Sequence, residues 1–117
     1  MAKYLLLIYG DERQWAAMPA EERQRLGEAH GAFHATAGEG VLDGRELEPA
    51  SVATTVRADA GGRPMITDGP FLETKEAVGG YYLIEAADLD EAIKLASGLY
   101  EATAGHSGVE IRPVVER

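Results

Sequence analysis

The chain has 117 residues, 45% of them apolar and 26% charged, with 20 acidic against 11 basic side chains and a formal charge of −9. That content supports one core of ordinary globular size and excludes a disordered or multidomain chain. The acidity excludes the basic footprint that nucleic acid or an anionic membrane surface needs, and the lack of cysteine excludes disulfides, thiol nucleophiles and thiolate metal sites.

Residues 4–9 form an unbroken apolar run that stops at Gly10 and Asp11. It is too short for a ~20-residue membrane span or a signal segment, and long enough for a strand covered on both faces. A soluble, cytoplasmic, single domain over residues 1–117 is expected. Pro19 suits a first helical position, and Glu21 and Glu22 complement the dipole of the turn that follows. The helix is expected to reach about Ala37 and to end at Gly38 or Gly40, with Leu26, Ala29, Phe33 and Ala37 on its apolar face. Val41 and Leu42 open a second strand that runs toward Leu47.

Alternation over residues 52–56, a turn signal at Asp59, Gly61 and Gly62, and a return over residues 64–67 predict a hairpin. Residues 79–86 predict a further apolar strand. Asp88 and Glu91 have the spacing of a capping box, ahead of a helical stripe of Leu89, Ala92, Ile93, Ala96 and Leu99. Val109, Ile111, Pro113 and Val115 alternate in a last strand.

This order predicts an α+β chain: a ferredoxin-like β-α-β-β-α-β unit with an inserted β-hairpin and one antiparallel sheet. Its helices can cover only one sheet face. The first strand is apolar on both, with Leu5, Leu7 and Tyr9 opposite Tyr4, Leu6 and Ile8. The second face needs a partner, and the expectation is a homodimer whose two sheets close on each other.

The opening strand through Glu12, the block Thr67-Asp68-Gly69-Pro70-Phe71-Leu72-Glu73-Thr74-Lys75-Glu76, the strand at residues 79–85 and the closing Val109-Glu110-Ile111-Arg112-Pro113-Val114 together resemble the DGPF branch of the YCII-related family. The resemblance implies a dimeric α+β barrel. It also implies a His–Asp pair of the kind proposed for related proteins, one of which dehalogenates a lactone. Some members have genes beside those of alternative sigma factors, which implies a signalling connection.

His30 falls inside the apolar stripe of the first helix and His34 at its margin, with Gly27 and Gly31 beside them. Two mid-helix glycines suggest that a strand, loop or ligand approaches closely. His30 suits either a base at a ligand-binding edge or a hydrogen-bonded core histidine. The family's His in the first helix matches His30 by position, and its Asp matches either Asp43 or Asp68. An H-x-x-x-H pair lacks a local third ligand, so no metal and no cofactor are expected. Asp68 and Gly69 suit a turn, while Phe71 and Lys75 suit either a pocket wall or a self-packed loop. Tyr81 and Tyr82 alternate, one toward the helices and one toward the dimer cavity. His106 is expected to be solvated.

The expected function is therefore binding of a small organic molecule in a pocket between sheet, first helix and the Asp68 loop. The catalytic pair would be His30 and Asp68, in isomerase- or lyase-type proton transfer on a small cyclic or carbonyl-bearing acid, with His34, Phe71, Lys75 and Tyr82 as substrate contacts. The alternative is a non-enzymatic ligand sensor or accessory partner linked to sigma-factor signalling.

Overall fold

The computed structural model describes residues 1–117. The chain runs β1 (Ala2–Asp11), α1 (Glu12–Ala16), α2 (Ala20–Ala37), β2 (Val41–Glu46), β3 (Thr54–Ala58), β4 (Pro64–Asp68), β5 (Glu76–Ala86), α3 (Leu89–Ala96), α4 (Tyr100–Thr103) and β6 (Ser107–Pro113). Strands β2, β5, β1 and β6 lie side by side in that order, every neighbour antiparallel, and β3–β4 form a separate two-stranded sheet. Because β1 and β2 both run against β5, they are parallel to each other, as are β5 and β6 across β1. Two split β-α-β units are thus interleaved in one sheet, the ferredoxin-like α+β arrangement the chain order predicts. No helix is long and apolar enough to cross a membrane.

The period of two in β1 and β5 divides their side chains. Tyr4, Leu6 and Ile8 of β1 and Tyr82, Ile84 and Ala86 of β5 face the helices and are buried, Leu6 and Ile84 with no exposed surface at all. Phe33 of α2, Ala92 and Ala96 of α3, and Leu99 close that core. Each fully buried leucine or isoleucine stabilises by about 1.5–3 kcal/mol. The alternate residues Leu5, Leu7 and Tyr9 of β1 and Tyr81 and Leu83 of β5 are only half-buried.

Several sequence expectations shift, and the last strand ends at Pro113, short of Val115. Pro19 is the N-cap of α2 rather than its first helical residue, and Gly38 ends it at φ +55°. Phe33 is the one buried residue of α2, with Leu26, Ala29 and Ala37 half-buried. In α3 the capping box forms, Asp88 accepting from the Glu91 N–H at 2.9 Å and Glu91 from the Ala87 N–H at 2.8 Å, but Leu89 and Ile93 point to solvent. The small residues Ala92 and Ala96 let α3 sit close to the sheet.

The short helix α1 was not signalled by periodicity. It turns Trp15 back over the sheet, onto Gly10 and Gly79, where an added Cβ would lie 2.3 Å and 2.4 Å from the indole. A β-bulge between Ile8 and Tyr9 sets this region of the β1–β5 ladder. The Trp15 indole N–H donates to Ser107 Oγ at 2.9 Å, and that hydroxyl also meets His106 Nδ1 at 2.8 Å. His106 is therefore half-buried and bonded, not simply solvated.

Hairpin β3–β4 stands apart from this core. Asp59 holds its turn, accepting from the backbone N–H groups of Gly61 and Arg63, and Gly62 takes φ +81°. Gly69, at φ +102°, closes its base: its N–H donates to Ala53 O and its carbonyl accepts from Thr55 Oγ1, both at 2.7 Å.

Candidate functional site

Tyr82 lies on the helix-facing side of β5, its ring over Gly44 of the neighbouring strand β2. A Cβ at Gly44 would sit 2.5 Å from the ring, so glycine is needed there for the phenol to lie down. Helix α2 presents His30, Phe33 and His34 to the same ring, with centroid separations of 5.8, 4.6 and 5.3 Å. The spacing of three and four residues puts all three side chains on one face.

The His30 imidazole is held at both ends. Nδ1 is 2.7 Å from the Tyr82 hydroxyl, and Nε2 is 2.8 and 3.1 Å from the two carboxylate oxygens of Glu101. Glu101 is buried, 6% exposed, on the four-residue helix α4. A carboxylate out of water needs a donor, and His30 Nε2–H supplies it. With Nε2 turned to Glu101, Nδ1 is left facing the Tyr82 hydroxyl. Tyr82 is pushed above the usual phenol range, first by burial and then by the Glu101 charge. It therefore stays a protonated hydrogen-bond donor. Tyr100, also on α4, donates to Glu22 of α2 at 3.3 Å, a second tie between the two helices.

These groups open onto a cavity of about 680 Å³, within the range for small-molecule sites. Ile8, Trp15, Met18, Tyr82, His30, His34 and Glu101 line it, with residues 44–49 as its outer wall. Glu12 fixes that wall by accepting from the Ala50 N–H at 3.0 Å. Arg23 is spent on the carbonyls of Trp15 and Ala16. Arg45 faces Asp43 at 3.1 Å. No group of three or more His, Asp or Glu side chains stands where it could hold a metal ion.

Of the residues singled out from sequence, His30, His34 and Tyr82 meet here. Asp68, Phe71 and Lys75 do not line the cavity. Asp68 ends β4 opposite Thr54, exposed, and Phe71 lies under the Arg57 guanidinium at 4.6 Å. The acidic partner of His30 is Glu101, and neither Asp68 nor Asp43 reaches it. Asp43 instead accepts from the Gly44 N–H and, at 3.0 Å, from the Tyr81 hydroxyl. Those two bonds hold its carboxyl below the usual range, and the same contact raises the Tyr81 phenol. Gly27 and Gly31 have no neighbour near enough to require glycine, so nothing in the chain approaches α2 there. Glu101 carried no local signal, since its role depends on a histidine 71 positions away.

The YCII-related domain model matches residues 2–116. An uncharacterized protein of Rhizobium meliloti (strain 1021) is 37% identical over 113 residues, which cover 95% of this chain and 90% of that relative. The chain belongs to the YCII-related family.

Proposed function

We propose that the protein is a homodimer that binds a small organic molecule in the Tyr82–His30–Glu101 cavity and moves a proton on it. The observation that carries this is His30 bridging a buried carboxylate and a phenol at the cavity wall. A half-buried histidine anchored at both ring nitrogens, beside a buried carboxylate and open to a cavity, is an arrangement suited to proton transfer. A ligand proton passes to the Tyr82 oxygen as the phenol hands its own to His30 Nδ1, and Glu101 stabilises the imidazolium that forms. Returning the proton to a different atom of the ligand completes an isomerisation, and departure of a group from the neighbouring carbon with its electron pair, protonated by the imidazolium, completes an elimination. Glu101 fills the role expected of Asp68.

The cavity lining carries Glu12, Glu46, Glu48 and Glu101 against Arg23 and Arg45. That balance favours a neutral carbonyl compound over an acid. Asp68, at the end of β4, and Phe71 and Lys75, in the loop to β5, lie in the block that resembles the DGPF branch and would touch a ligand only across a dimer. A role as a ligand sensor uses the same cavity without turnover.

The test is native mass spectrometry and deuterium exchange in D₂O with a panel of cyclic ketones and lactones. Saturable binding and exchange beside the carbonyl, lost in folded His30→Ala and Tyr82→Phe, is the expected result. Binding without exchange moves the assignment to a sensor, and no binding to any member ends the small-molecule reading.

A further inference from the structure

The accessible surface is 8010 Å², whereas a folded chain of 12.5 kDa exposes roughly 6,200 Å². The excess, about 1,800 Å², is more than the ~800 Å² that each partner contributes to a stable interface. The radius of gyration is 16.1 Å against about 13 Å for a compact chain of this length, and the shortest molecular extent is 19 Å. Hairpin β3–β4 packs extensively on no other element, and every residue of β4 is exposed. A two-stranded hairpin without a covered apolar face is marginal in water.

Its two faces differ. On one, Thr55 is buried and Arg57 covers Phe71, so the chain's own loop occupies it. On the other, Val56 and Ile66 are direct cross-strand partners, 63% and 70% exposed, between the pairs Thr54–Asp68 and Ala58–Pro64. Arg57 and Arg63 balance Asp59 and Asp68, so the hairpin is neutral in a chain of charge −9. It can approach an acidic copy without repulsion, and Arg63 at its tip forms no ion pair within its own chain.

We propose that hairpin β3–β4 is a docking arm that lays its Val56–Ile66 face on a second copy of this chain. The inference rests on the homodimer proposed above and adds a surface beyond the sheet faces. The protein has no cysteine, so a single Ile66→Cys substitution gives a unique thiol. At about 100 μM protein, iodoacetamide should modify it at least about tenfold more slowly than a control thiol from Lys94→Cys, and dilution below the dissociation constant should abolish the difference. Val56→Asp with Ile66→Asp should weaken dimerisation at least about tenfold with helix content unchanged. Should Ile66→Cys fail to fold, Val56→Cys serves the same purpose. A dimer whose hairpin thiol reacts at the control rate, and which survives the double substitution, overturns the arm and leaves the sheet-to-sheet dimer standing. A wild-type monomer throughout the micromolar range overturns both.

Discussion

The sheet–helix body and the β3–β4 hairpin are built from similar apolar residues, yet only the body hides them. Leu6 and Ile84 of the body have no exposed surface, whereas Val56 and Ile66 of the hairpin keep most of theirs. The difference lies in what each strand has beside it. Strands β1 and β5 are central and meet α2 and α3, while β3 and β4 have only each other. Apolar sequence makes a strand; burial requires a second layer. The hairpin, like the half-buried Leu5, Leu7 and Tyr81 side of the main sheet, lacks that layer within its own chain.

The largest effect should separate the two regions outright. Leu6→Ala or Ile84→Ala should cost about 3–5 kcal/mol in urea unfolding, since each leaves a cavity in a closed core. Val56→Ala or Ile66→Ala should change the stability of the dissociated chain by less than ~0.5 kcal/mol. Next comes the anchored histidine. His30→Ala strands the buried Glu101 carboxylate and should cost about 3 kcal/mol, and pairing it with Glu101→Leu should recover part of that loss. A single and a double substitution of equal cost would mean that Glu101 is not held by His30.

Gly44→Ala should cost about 1–3 kcal/mol by forcing the Tyr82 ring off β2, and should shift the His30 ring resonances in NMR spectra. Gly27→Ala and Gly31→Ala should each stabilise by about 0.5–1 kcal/mol, because both are exposed mid-helix with open space at Cβ. The smallest effects concern pH. Tyr82 is raised above its ordinary 10.0 by burial, Tyr81 by Asp43 and Tyr100 by burial, so each contributes stability that is complete below pH 10 and is lost as pH rises through its folded value. Asp43 lies below its ordinary 3.8, so its contribution is present above that pH and fades as pH falls through the folded value. Tyr82→Phe should flatten part of the alkaline limb in melting temperatures measured from pH 9 upward.

The sheet order, the long helix and the hairpin were legible because each spans several repeats of its period. Helices α1 and α4, five and four residues long, are shorter than the windows in which a helical stripe can be seen. With α4 goes Glu101, whereas the sequence points to Asp43 on the second strand or Asp68 in a turn as the partner of His30. The position of Glu101 could be learned only by folding α4 against α2. Trp15 left a weaker trace: Gly10 and Gly79 lie within strands, as Gly44 does beneath Tyr82, and a glycine within a strand marks the close approach of another group. Gly27 and Gly31 show the limit of that signal, since in α2 they face open space.

Sedimentation equilibrium of the wild-type chain is the most direct measurement. Across the micromolar range it should give twice the chain mass of 12.5 kDa, the second copy supplying the layer that the outer sheet face and the hairpin lack. A single species of 12.5 kDa at every concentration would mean that both surfaces stay open to water, and the contrast between body and hairpin would then have another cause.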